Sequence, residues 1–296
     1  MKKINADYEG ILYMLIASFA FALMGMFAKV LGRDFDNVEV VFFRNFLGLG
    51  LILISILKNP VVETGGKPLL LIFRGLIGTI ALYGFSYNLI HLSLGEAFTF
   101  YQTSSLFIAL LSYFFLKERL NLYAWLAIFI GFLGIIVIFR PDPALMVSNC
   151  LGIFCGLGSA LAYMSVSELK KYYDTRTVVL SFVASGSILP FFSMLIGQFY
   201  PNPNLSFCLG QFQIPWLWSQ WLSIVMIGLT ALTGQIYATK AYGAAKAGIV
   251  SGISYSNILF SLLLGWMIGD TLPSFWTWVG IGLIVLSGVL MTQKGE

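Results

Sequence analysis

The stretch LFIALLSYFFLKERL, residues 106–120, runs eleven residues without a charge and then sets Lys117, Glu118 and Arg119 side by side. Such an ending is expected where a lipid-spanning helix meets the headgroups, because charged side chains are costly in hydrocarbon and favourable at its edge. A second stretch, ILFSLLLGWMIGDTL at 258–272, repeats the pattern. Laying residues 101–118 over 253–270, a constant shift of 152, brings Glu118 onto Asp270 and aligns twelve apolar residues upstream of each. Further along, Gly134 meets Gly288 at a shift of 154, so a two-residue difference falls in the turn. One membrane-spanning element is used twice.

Working outward, 58% of the 296 residues are hydrophobic and only 10% charged, against roughly 25% charged in an ordinary soluble domain. A spanning helix needs about 20 predominantly apolar residues, since backbone groups cannot stay unpaired in lipid. Ten segments qualify, at 10–31, 37–57, 68–91, 95–116, 121–139, 147–169, 177–199, 217–239, 246–268 and 273–292. Continuous runs of this length exclude a barrel, whose strands alternate over about ten residues. Two lysines precede the first run, but Asp7 and Glu9 intervene and no small-residue cleavage site follows, so the segment reads as a retained helix. Cys150, Cys155 and Cys208 lack paired metal spacing and read as packing residues.

With the N-terminus placed in the cytoplasm, Lys2, Lys3, Lys58, Lys67, Lys117, Arg119, Lys170, Lys171, Arg176, Lys240, Lys246 and Lys294 fall inside, and only Arg33 and Arg140 outside. This split obeys the positive-inside rule and puts both termini in the cytoplasm of a cell inner (plasma) membrane protein. It also accounts for the net charge of +4 without nucleic acid. The longest outer loop, Tyr200 to Trp216, is uncharged, and its Asn204-Leu205-Ser206 fits a glycosylation triplet.

The expected fold is an all-α integral membrane protein of ten transmembrane helices, arranged as two inverted five-helix repeats over 10–141 and 147–292. Five is odd, so the second copy enters the membrane from the opposite side, the usual construction of secondary transporters with a midplane site. The alignment pairs Gln102-Thr103-Ser104-Ser105 with Ser254-Tyr255-Ser256-Asn257. Two readings of these quartets stand side by side: polar contacts to a central substrate, or hydrogen-bonded glue between helices at about 0.6 kcal/mol per bond. Lys29, Arg44 and Arg74 each lie several residues inside a segment, where insertion scales charge about 2.5–3.5 kcal/mol at the centre. Snorkelling toward the headgroups is the plain expectation for all three. If one faces a cavity, it offers a cation to a carboxylate or phosphate. Glu96 and Glu168, at helix ends, are expected to be solvated.

The alternatives are a membrane-embedded enzyme and a passive channel. One histidine, His91, rules out a two-histidine metal site within the chain and leaves a serine triad without its strained nucleophile turn. No catalytic residue, metal ligand or cofactor is expected. GxxxxGK[ST] does not occur, so ATP hydrolysis by such a loop is not the energy source, and no isolated intramembrane carboxylate stands out as a proton carrier. A channel predicts continuous polar stripes, whereas the polar residues cluster.

RGLIGTIALYGFSYNLIHLSLGEAFTF (74–100), LFIALLSYFFLKERL and YSNILFSLLLGWMIGDTLPSFWTWVGIGLIVLSGV (255–289) resemble the drug/metabolite transporter superfamily, specifically its ten-helix EamA-type members. The acidic turn after helices four and nine is the clearest mark. The resemblance implies a bacterial inner-membrane carrier of small metabolites, with a cavity lined by helices one to four and six to nine. Relatives export amino acids or related metabolites, and others take up compounds such as S-adenosylmethionine. Two departures matter. The family often has proline where this chain has Ser105 and Asn257, so both helices are expected to run straight; and the first acidic turn reads Lys117-Glu118 instead of Gly-Glu. The expected substrate contacts are Tyr101, Gln102, Ser105, Gln235, Tyr255 and Asn257, with Lys29, Arg44 and Arg74 as charged candidates. The partners are a small-molecule substrate, taken to be an amino acid or related zwitterion, and the lipid bilayer, with a homodimer left open.

Overall fold

A computed structural model describes residues 2–61, 63–115, 122–138, 145–202, 205–245, 247–271 and 273–292. Lys117, Glu118, Arg119, Arg140, Asn204, Lys246 and Lys294 lie outside the described residues, and with them the charged end of the 106–120 stretch and the glycosylation triplet's asparagine. Among the described residues every regular element is helical: α1 (Lys2–Leu31), α2 (Asn37–Lys58), α3 (Pro68–His91), α4 (Leu94–Gln102), α5 (Ser104–Phe115), α6 (Leu122–Ile138), α7 (Met146–Leu169), α8 (Thr175–Phe199), α9 (Trp218–Ala244), α10 (Ala247–Ser254), α11 (Ser256–Met267) and α12 (Phe275–Thr292). Six of them, α1, α2, α3, α7, α8 and α9, are individually long and apolar enough to cross a membrane. The exposed surface carries Leu, Ile, Phe and Trp side chains along most of the helices, as a lipid-facing bundle requires.

Hydroxyls inside the helices are absorbed locally. Thr79 donates to the Gly75 carbonyl at 2.8 Å, Thr99 to Gly95 at 2.7 Å and Ser187 to Val183 at 2.8 Å, so none needs water. The fourth and ninth segments are interrupted. Each is two helices, broken at Thr103 and at Tyr255, positions 152 residues apart. At the first break the Thr103 hydroxyl takes the Phe100 carbonyl at 2.7 Å, and the Leu106 amide reaches back only three residues, to Thr103, at 3.0 Å. Ile258 does the same to Tyr255 at 3.0 Å. Proline is therefore unnecessary for the break: a local shift to the tighter i→i+3 bonding pattern makes it.

The helices pack in a pattern of matched pairs. α1 lies against α9 and α3 against α7, α2 against α8, and α6 against α12. Exchanging the first five spans for the last five leaves this pattern unchanged. Close approach depends on small residues: a Cβ at Gly156 of α7 would fall on the Thr103 hydroxyl, and one at Gly134 of α6 would lie 2.9 Å from the Gly280 carbonyl of α12.

One end of the bundle gathers cations. There Lys67 and Lys171 both hold Glu168, at 2.6 Å and 2.5 Å, and Arg176 donates to the carbonyls of Ser55 (3.1 Å) and Asn59 (2.7 Å). The carboxylate bond to Lys67 raises the lysine's pKa above its ordinary value. At the other end, residues 205–217 are strapped down by the start of α2. The Gln211 amide donates to Asp36 at 3.1 Å, the Gln213 amide to Glu39 at 2.5 Å, and Asn37 to the Phe207 carbonyl at 2.9 Å. Of the three cysteines expected to pack, Cys155 is buried, Cys208 half-buried and Cys150 exposed on the outside of α7.

The α7 contact is directly testable. Gly156→Leu is expected to destabilise the purified protein by ~1–3 kcal/mol through overpacking. Gly282→Leu, at a position where a Cβ meets nothing within 4 Å, is expected to leave the melting temperature unchanged.

Candidate functional site

The charged candidates part company. Lys29, near the end of α1, donates to the Leu92 carbonyl at 2.6 Å and lies 3.4 Å from Asp270. It thus sits on the C-terminal end of α3, where a cation is favoured, while Asp270 accepts the Leu94 amide at 2.6 Å at the N-terminal end of α4, where an anion is favoured. Asp270 follows Gly269, whose φ of +74° ends α11. Ser93 and Glu96 complete the start of α4 as a capping box, and Glu96 also accepts from Thr277 at 3.1 Å. Lys29 and Glu96 are therefore structural partners at this end of the bundle; Glu96 is tied down instead of freely solvated. The same groups, with His91, Asn149 and Ser274, border a polar cavity of about 380 Å³.

Arg44 and Arg74 do not snorkel. They are 5% and 2% exposed, and both point into the middle of the bundle. The reason is direction: each guanidinium leans on the ring of Phe182 from α8, its carbon 5.8 Å (Arg44) and 4.9 Å (Arg74) from the ring centre. They line a small cavity of about 40 Å³ with Phe21, Phe98, Tyr101, Ser159, Tyr163 and Gln235. The lining comes from α1 to α4 and from α7 to α9. Arg74 Nη2 donates to Gln235 Oε1 at 3.3 Å. The Tyr101 and Tyr163 hydroxyls bond at 2.7 Å, and Tyr163 stacks on Tyr242 at 4.9 Å. Phe85 packs on Tyr101 at 5.0 Å and on Phe98 at 5.1 Å, building an aromatic wall.

The electrostatics are unbalanced. Nε and Nη1 of both arginines have no hydrogen-bond partner. No carboxylate among the described residues pairs with either one; their charged or ionisable neighbours are Tyr101, Tyr163 and Cys155 for Arg44, and Tyr163 and Tyr101 for Arg74. Contact with an aromatic face returns about 0.5–2 kcal/mol, whereas burying an ion costs several kcal/mol even after relaxation. Phe182 alone does not cover the cost of two. The arrangement can hold an anion, and its tyrosine hydroxyls and the Gln235 amide can bond a polar group beside it.

The polar quartets lie elsewhere. Gln102 donates to Ser105 Oγ at 2.6 Å and to Ser254 Oγ across the bundle, and the two serines are 3.4 Å apart. Gln102 and Ser254 are the aligned pair of the 152-residue repeat, so the two quartets meet each other at the helix breaks. Tyr255 packs on Gly288 of α12. None of Gln102, Ser105, Tyr255 and Asn257 lines the arginine cavity, although Gln102 Oε1 and Asn257 Oδ1 are buried without partners. Of the residues singled out from sequence, Tyr101, Gln235, Arg44 and Arg74 share the cavity. Phe182, Ser159 and Tyr163 were missed. Tyr163 carried a faint signal, a hydroxyl inside an apolar helix; Phe182 carried none. Glu39 was also missed: it is fully buried, with one oxygen held by the Gln213 amide and the other unpartnered.

Comparison with known proteins bears on these features. Residues 8–140 match the EamA-like transporter family. Over 97% of the chain and 95% of the relative's length, the sequence is 33% identical to an uncharacterized transporter of Helicobacter pylori. It is 26% identical to the pseudopaline exporter CntI of Pseudomonas aeruginosa (97% and 98% of the two chains). It is 25% identical to a riboflavin transporter of Vibrio cholerae (96% and 93%). A solved crystal structure sharing 17% identity superposes over 98% of both chains with a TM-score of 0.67, which speaks to the fold alone. With its all-helical apolar bundle and these full-length relatives, the chain belongs to the EamA-like transporters of the drug/metabolite transporter superfamily, multi-pass membrane proteins that move small molecules.

Proposed function

We propose that this protein is a secondary transporter of small metabolites that carry a carboxylate, amino acids and their relatives among them, and that Arg44 and Arg74 hold that carboxylate. The observation that carries this reading is the pair of buried guanidinium groups with unpartnered nitrogens at one cavity. A charge of that kind is retained at depth where it meets a ligand. The relatives' names point to an exporter of pseudopaline and a transporter of riboflavin, so substrate choice rests on the side chains lining the cavity and not on the shared fold.

Movement follows an alternating-access scheme in the cell inner membrane. In it, halves 10–141 and 147–292 are inverted copies, both termini are cytoplasmic, and the cation-rich end faces the cytoplasm. Three features support the scheme: packing unchanged by exchange of the halves, helix breaks 152 residues apart at Thr103 and Tyr255, and Lys67, Lys171 and Arg176 gathered at one end. The 40 Å³ cavity admits little more than water, so loading requires the aromatic wall to part. The Gln102–Ser105–Ser254 cluster at the two breaks then serves as the joint on which that parting turns.

Uptake by proteoliposomes of a labelled panel of amino acids and organic acids tests the assignment. A carboxylate-bearing compound is expected to accumulate while its amide does not. Arg44→Gln and Arg74→Gln are each expected to lower transport about 10–150-fold, the equivalent of one charged hydrogen bond at ~1.5–3 kcal/mol. Undiminished uptake by both variants contradicts the assignment.

A further inference from the structure

We infer that the arginine cavity is built for a substrate bearing two negative charges, one matched to each guanidinium. This rests on the cavity being the substrate site and goes further, because a single carboxylate, even where both guanidinium groups contact it, brings one negative charge against two positive ones. Four nitrogens, Nε and Nη1 of Arg44 and of Arg74, are buried without partners. Both side chains line the same cavity and lean on the same Phe182 ring, 5.8 Å and 4.9 Å from its centre, so a ligand in that cavity meets both.

Among the described residues no carboxylate supplies a counter-charge. The groups facing the arginines from α4 and α7 are the tyrosines Tyr101 and Tyr163 and the thiol of Cys155, and α9 contributes the neutral amide of Gln235. Glu39 precedes Arg44 by five residues on α2, which turns it away from the arginine's face; its bonded oxygen is held by the Gln213 amide at the end of the bundle. A zwitterion with one carboxylate leaves one guanidinium uncovered and sets its ammonium beside it, where like charges repel. A dicarboxylate, or an acidic amino acid whose ammonium lies against Gln235 Oε1 and the tyrosine oxygens, covers both. A single doubly charged oxyanion such as phosphate shares the essential chemistry if it bridges the two.

The test compares matched anions on the purified protein in nanodiscs, at constant ionic strength. Thermal stabilisation is titrated with malonate, succinate, glutarate and inorganic phosphate, and with butyrate and succinamate as singly charged partners. At least one dianion is expected to half-saturate at a concentration at least tenfold below its monoanion partner, since one charged contact separates them. Arg44→Gln and Arg74→Gln are each expected to pull the dianion down to the monoanion's level. Arg44→Lys, which keeps the charge, restores part of the difference and reports that the fold is intact. Protection by phosphate alone places both charges on one group; protection by a dicarboxylate places them on two. If butyrate or succinamate binds as tightly as every dianion, and the arginine variants abolish that binding, the two-charge inference falls while the carboxylate assignment stands. If no anion stabilises the wild-type protein, both fall.

Discussion

A guanidinium ion in a bundle as thick as a bilayer must find a counter-charge, a route to water or a ligand. Among the described residues the first two options are closed for both Arg44 and Arg74, which are buried and face tyrosines, an amide and one aromatic ring. The rest of the architecture acts to hold that situation in place. Phe182 on α8 orients both cations, Gln235 on α9 steadies one of them, and the Tyr101–Tyr163 pair bridges α4 and α7 across the cavity. Stability given up at the cavity has to be made good elsewhere, and tight helix contacts at Gly156 and Gly134 do so by dispersion and shape.

The ends of the bundle show the complementary principle, with charges held by partners. Lys29 and Asp270 sit on opposed helix termini, at the α3 end and the α4 start, and also pair with each other. Glu168 takes two lysines. Paired charges at the ends and unpartnered guanidinium nitrogens in the middle are the contrast on which the proposed binding site rests. Between them, α4–α5 and α10–α11 are broken at matching positions and joined by Gln102, Ser105 and Ser254.

Much of the fold was legible in the sequence because hydrophobic length is a strong signal: the ten apolar segments coincide with helices or broken helices to within a few residues, except that α1 starts earlier, at Lys2, and α9 runs on to Ala244. The breaks at Thr103 and Tyr255 were not legible. Their cause is a hydrogen-bond shift of one residue, which leaves no trace in composition and needs no proline. The site was half legible. Arg44 and Arg74 announce themselves as charges in apolar text, but whether such a side chain points to the headgroups or to the core depends on rotamers and on Phe182, a residue 138 and 108 positions further along the chain. The aligned polar quartets meet each other through Gln102 and Ser254 at the helix breaks, while the cavity is lined by other residues.

The central claim, that the cavity lacks a counter-charge which the substrate supplies, is tested most directly by building that charge into the protein. Gln235 already touches Arg74, and Gln235→Glu places a carboxylate there at nearly constant shape. The account predicts a higher melting temperature for this variant together with loss of transport, because the protein then occupies its own site. A variant that melts no higher than the wild type and still transports at the wild-type rate would contradict it.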